Sequence, residues 1–203
     1  MLDPISTGDS IARLIRHGRL EVNDWRVFSP ETEAGETNSS DPQAGTAIDE
    51  APPTAGTSYG LPADEPGWMI PLALWMAKRE TLRQREHAVA VLLSPDSKLQ
   101  DLIGDHGKID PTGIAFIAID FPLYTDGRGY SLAQLLRTRY GWQGELRAIG
   151  DVMIDTIHYQ ARVGFDSFLV KPEHDPVKAL AAFRTFTVHY QKTYPKPPQL
   201  LAA

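Results

Sequence analysis

Asp126, Gly127, Arg128, Gly129, Tyr130 and Ser131 place a carboxylate, a guanidinium, two hydroxyls and two glycines on one short stretch of chain. Glycines one residue apart allow positive φ and leave backbone amides open to a ligand. A helix starting just beyond them would add free amides and positive potential. That set suits a small oxyanion, and it equally describes a tight turn. Arg147 and Asp151 belong to the next strand and its loop. Arg128 and Arg147 would grip the oxyanion while Asp126 and Asp151 orient them. The alternative is a structural salt bridge that ties adjacent loops.

Other chemistries fit less well. A dinucleotide fingerprint needs a third glycine or alanine where Leu132 stands, and Pro122 to Asp126 separate the first glycine from the strand. The Gly-Lys-Ser/Thr of a phosphate-binding loop is absent, as is a Gly-x-Ser-x-Gly elbow. The chain has no cysteine, which removes disulfides, thiolate nucleophiles and cysteine-ligated metals. Asp151, Asp155, His158 and Arg162 recur on one face of an expected helix, but one helix supplies too few converging ligands for a metal. They read as a solvated face with Asp151 as a cap. No catalytic residue, metal or redox cofactor is identified.

The elements that would position these residues follow from periodicity. Ala88–Leu93, Ile114–Phe121, Glu145–Ile149 and Phe165–Val170 are apolar strands. Helices are expected from Pro71 to Arg85 and near Lys98–Ile103. Another is expected from Ser131 to Tyr140, with Ser131 and Gln134 as a capping box and Leu132, Leu135, Leu136 and Tyr140 facing inward. Further helices span Val152–Val163 and run from Asp175-Pro176 to about Tyr190. The fold class is therefore α/β, with four βα units forming a parallel sheet that is either a half-barrel or an open doubly wound sheet. Strand–helix loops at the carboxyl ends of such sheets carry sites.

Residues 1–29 read as an N-terminal β-hairpin with a further strand at Trp25–Phe28, packing on an α/β domain at 67–194. Between them, 30–66 reads as a disordered acidic Pro/Gly-rich insertion, and 195–203 as a flexible tail. The insertion holds eight acidic residues and no basic one, so removing it shifts the net charge from −6 to near +2. A nearly neutral remainder gives no nucleic-acid footprint. No apolar run approaches the roughly 20 residues of a membrane span, and no apolar signal core is present. A soluble cytoplasmic protein is expected.

Phe121-Pro122, Thr125 to Ser131, Leu135-Leu136-Arg137, Tyr140-Gly141, Gly144 to Val152, Asp155 and Gly164 to Phe168 together resemble a bacterial family, domain of unknown function 934 (DUF934). The resemblance is dense over 115–190 and looser over the hairpin and the helix from Pro71. It implies a cytoplasmic protein encoded beside the sulfite reductase haemoprotein and described as an oxidoreductase of sulfite reduction, within sulfur assimilation and cysteine biosynthesis. The implied partner is that haemoprotein or its electron donor. Two positions depart from the family pattern: Thr156 stands where Gln is common, and Val163 where Cys is common. Two functions follow as expectations. One is an accessory protein of assimilatory sulfite reduction. The other is an oxyanion-binding enzyme or ligand-binding module using the loops at the strand carboxyl ends.

Overall fold

Residues 13–29, 60–104 and 106–184 are described by a computed structural model. Most of the expected insertion (30–59), the last helix beyond residue 184 and the tail lie outside them. In chain order the elements begin with β1 (Leu14–Arg16), β2 (Arg19–Glu21), β3 (Arg26–Val27) and β4 (Trp68–Pro71). There follow α1 (Leu72–Arg83), β5 (Val89–Leu93), a 3-10 turn at Leu99–Leu102, β6 (Ile114–Phe121) and α2 (Arg128–Thr138). The last are β7 (Leu146–Gly150), α3 (Ile157–Val163), β8 (Ser167–Leu169) and α4 (Pro176–Ala182).

All eight strands join one sheet in the order β2-β1-β8-β7-β6-β5-β4-β3. From β3 to β8 the pairs are parallel, while β1 runs antiparallel to both β8 and β2. This mixed α/β architecture corrects the expectation of four plain βα units. β3 and β4 add two parallel strands, only a 3-10 turn follows β5, and the hairpin extends the sheet rather than lying on it. The hairpin's turn, His17-Gly18, has φ of 51° and 70° at its two residues, the geometry that matches strand twist in a two-residue loop. β4 escapes sequence reading because it is four residues long and ends in the proline that also starts α1.

Strands that neighbour one another in chain order, joined by right-handed crossovers, must carry their helices on one face. The main core is accordingly one-sided: Val91, Ile117, Ile119, Phe121 and Phe168 meet Trp75, Leu136, Ile157 and Ala179 from the helices. The opposite face carries a second apolar cluster, Met69, Ala90, Leu92, Phe116, Ala118 and Ile149. Among the described residues no helix supplies a residue to it; Trp25 and Leu169 pack against it instead.

Trp25 belongs to the short link between β2 and β3, which stand at opposite edges of the sheet. In a flat sheet of eight strands about 4.8 Å apart, those edges would lie about 34 Å apart. The five residue steps from Glu21 to Arg26 span at most about 18 Å. The sheet must curl until its edges approach, which makes it a half-barrel rather than an open doubly wound sheet. The link becomes a strap across the concave side. Trp25 stands edge-on to Phe116 with centroids 4.6 Å apart, and Asn23 Oδ1 accepts from Arg147 at 3.2 Å.

Residues 60–66 are part of this structure. Asp64 accepts from the backbone amides of Glu86 and His87 and pairs with Arg85, and Leu61 packs on the core. A shortened insertion should therefore keep them. Among the described residues, no helix is long and apolar enough to cross a membrane.

Candidate functional site at the strand carboxyl ends

The loop from β6 to α2 is organised by Asp126. Its carboxylate accepts from the backbone N–H of Arg128 (2.9 Å) and from that residue's Nε (3.0 and 3.1 Å) and Nη2 (2.6 Å). Arg128 Nη1 reaches Asp96 on the loop after β5. The hydrogen bonds to Arg128 hold Asp126 below the usual carboxylate range, and Asp126 and Asp96 in turn raise the guanidinium. Both of the expected oxyanion groups on this loop are thus engaged with partners from the chain itself.

The glycines serve a different end from the expected one. Gly127 has φ of −71°, an ordinary helical value, and Gly129 is not among the positive-φ glycines. A Cβ on Gly129 would lie 2.6 Å from the Phe121 ring, so glycine there lets the first turn of α2 sit down on the end of β6. The helix begins at Arg128, which places Ser131 inside it rather than at its cap. Ser131 is exposed and its N–H donates to the carbonyl of Gly127. The Asx turn of Asp126 captures the chain earlier than the Ser131–Gln134 box would. The inward face also shifts: Leu132, Ala133 and Leu136 are buried, while Leu135 is 38% exposed.

Tyr130 packs between Phe121 and Tyr159, with ring centroids 5.3 and 5.4 Å away, and burial raises its phenol's pKa. Asp151 knots three loops together. Its Oδ2 accepts from Tyr124 N–H at 2.9 Å after β6, and its Oδ1 from Lys171 Nζ at 2.7 Å after β8. Burial pushes the Asp151 carboxyl up, but Lys171 and the Tyr124 amide outweigh it and leave it low. Helix α3 starts at Ile157, so Asp151 does not cap it, and neither Asp151 nor Asp155 shares a helix with His158 and Arg162. Among the described residues no three His, Asp or Glu side chains converge as metal ligands.

Arg147 lies elsewhere. It sits near the amino end of β7 on the concave face, buried, with its guanidinium 3.8 Å above the Phe116 ring. It donates to Glu145 Oε1 (2.7 and 3.0 Å), Ser167 Oγ and Asn23. Glu145 also forms an ion pair with Arg16, its Oε2 3.0 Å from Nε, and accepts from the Ser167 hydroxyl. Burial alone would raise Glu145; Arg147, Ser167 and Arg16 more than offset it. The structure therefore groups Asp126 to Ser131 with Asp151 along one rim and separates Arg147 from them. Arg128→Ala is expected to change stability by less than about 1 kcal/mol, since its side chain is 55% exposed and such pairs are weak. Arg147→Ala is expected to cost about 3 kcal/mol, because its buried partners lose their cation. Urea unfolding of both variants checks this, and equal losses would refute the separation.

The family model described as a bacterial protein of unknown function (DUF934) matches residues 90–200. The chain belongs to the DUF934 family. No curated protein and no solved structure matches it. In this DUF934 protein the matched stretch takes in nearly all of β5, all of β6 to β8 and every loop of the rim, while the hairpin and the strap precede it.

One rim residue was missed in the sequence. Asp120 is the next-to-last residue of β6, partly buried, on the same face as Phe116 and Ala118. Its sequence signal was available: it is the only charged residue in an otherwise apolar strand. Its carboxylate leans toward β7, where a Cβ on Gly150 would lie 2.5 Å from Asp120 Oδ1. Burial pushes the Asp120 carboxyl up, with a hydrogen bond from the backbone of Phe121 pulling the other way. A carboxyl raised by folding binds its proton more tightly in the folded state. Asp120 therefore weakens the fold as pH climbs through the carboxylate range.

Proposed function

We propose that this DUF934 protein is a cytoplasmic accessory protein of assimilatory sulfite reduction that works by contact with the sulfite reductase haemoprotein or its electron donor. The pathway comes from the family resemblance. The mode of action is supported by one surface: Leu123 and Tyr124, 63% and 44% exposed, project from the loop that Asp126 and Asp151 fasten at both ends. Large apolar side chains held in water on an anchored loop suit a protein interface, where tyrosine is enriched and little ordering entropy remains to be lost. Exposed Asp155, Glu173 and Asp175 lie on the neighbouring rim loops and favour a basic partner surface. The other expectation, a small oxyanion held at these loops, draws less support because Arg128 and Arg147 are each engaged with carboxylates of the chain.

A strain lacking the gene is expected to grow on cysteine and to fail on sulfate. Leu123→Asp combined with Tyr124→Asp should fail to restore growth and should no longer co-elute with the haemoprotein, while keeping the parent's thermal midpoint. Normal growth of the deletion strain on sulfate would overturn the proposal.

A further inference from the structure

The concave mouth of the half-barrel holds a carboxylate that no cation among the described residues neutralises. Asp120 pairs in register with Ile149 on β7, and one row deeper Leu92 pairs with Ala118. Leu92, Ala118 and Ile149 are buried, and Leu169 adds a partly buried edge, so the carboxylate stands over an apolar floor. The strap does not cover this end. Its contacts, Trp25 on Phe116 and Asn23 on Arg147, lie toward the amino ends of the strands.

The neighbouring carboxylates make the contrast. Asp126 has Arg128, Asp151 has Lys171, and Glu145 has Arg147 and Arg16. Among the described residues, no Lys, Arg or His lies within ion-pair distance of Asp120. Arg147, the buried cation of the same face, is turned toward Glu145, Ser167 and Asn23. A carboxylate drawn partly out of water with no cation is costly, and an incoming cation recovers that cost. The acidic rim attracts positive charge toward the mouth, and Leu123 and Tyr124 stand on the loop that continues directly from β6.

We infer that the mouth above Asp120 receives an arginine or lysine side chain from a partner protein with a basic surface, with its cation paired to the Asp120 carboxylate and Leu123 and Tyr124 packing beside it. This rests on the contact reading above and names the group that reading lacks. The guanidinium is the better fit, since its flat face tolerates an apolar floor while its edge donates to a carboxylate.

The probe is N-acetyl-arginine methylamide, titrated into the isotope-labelled full chain, with the uncharged citrulline analogue as control. The Asp120 carboxyl carbon and the amides of Phe121 and Gly150 are expected to shift saturably with the arginine probe and to stay still with citrulline. Asp120→Asn should weaken that response at least about 10-fold. The same variant should raise the thermal midpoint at pH 7, because it removes a charge the fold alone does not compensate, and the gain should vanish in acid. Against the haemoprotein, Asp120→Asn should weaken binding about 30-fold or more. No response to the arginine probe, an equal response to citrulline, or a lowered midpoint in Asp120→Asn would overturn the inference. Haemoprotein binding lost in the Leu123/Tyr124 variant but unchanged in Asp120→Asn would also overturn it and leave the contact reading standing. A response to the probe that Asp120→Asn abolishes, with no haemoprotein binding at all, would uphold the cation site and overturn the contact reading.

Discussion

Arg137→Met is expected to destabilise the protein by about 3–5 kcal/mol, the range for removing one partner of a buried charged network. Arg137 is buried in the last turns of α2, and its guanidinium ties two loops to that helix. It donates to the carbonyls of Gly164 (2.8 and 2.9 Å), Trp142 (2.9 Å) and Gly144 (2.8 Å), and it pairs with Asp166. Asp166 in turn accepts from the backbone N–H of Leu146, so the arginine holds the entries to both β7 and β8. Methionine would keep much of the apolar stem and leave all four acceptors without their donor. Lysine is not expected to rescue it, because one ammonium cannot reproduce the planar fork. At roughly 2–4 °C per kcal/mol for a chain of this size, the thermal midpoint should fall by about 6–20 °C. Denaturant unfolding with a loss below 1 kcal/mol would show that the carbonyls find water instead.

Leu136→Ala is expected to cost about 2–5 kcal/mol, and Leu135→Ala less than about 1 kcal/mol. The two leucines are adjacent, and sequence pattern alone assigned both to the apolar stripe. Leu136 is fully buried beneath the helix against the sheet, so its loss leaves a cavity whose walls are strands fixed by their ladders. Leu135 is 38% exposed, so its truncation opens a space that water can fill rather than a closed cavity. Thermal melts of the two variants decide the face. Similar shifts would mean that α2 is rotated from the position described.

Much of the secondary structure was legible locally. β6 runs over Ile114–Phe121 and β5 over Val89–Leu93 because uninterrupted apolar residues bounded by polar turns leave the chain few other choices. Asp175 caps α4 by accepting from the amides of Val177 and Lys178, as the Asp-Pro pair foretold. Gly164, with φ of 118°, ends α3 where the sequence placed the stop. The start of α3 was not legible: the mixed run Asp151 to Thr156 is compatible with helix, yet Asp151 is pulled out of any helical role by Lys171 and Tyr124 on neighbouring loops.

The candidate rim was located by the same local logic, since a buried strand followed by turn residues and a helix identifies a strand carboxyl end. Its charge pairing was beyond that logic. Asp126 taking Arg128 is a contact two residues long, but Asp96 and Lys171 arrive from other loops, and only the order of strands brings them there. Arg147 shows the same limit from the other side. Its strand and face were readable from alternation, whereas its height along the strand relative to the rim was decided by pairing with β6 and β8. The sequence by itself determined the apolar strands, most helix ends, the hairpin and the position of the rim, because each depends on residues close together in the chain. Tertiary structure alone decided the curl of the sheet, through a strap too short to cross a flat one. It also decided which carboxylates have cations and that Asp120 has none among the described residues, because ion pairing depends on neighbours that chain order does not reveal.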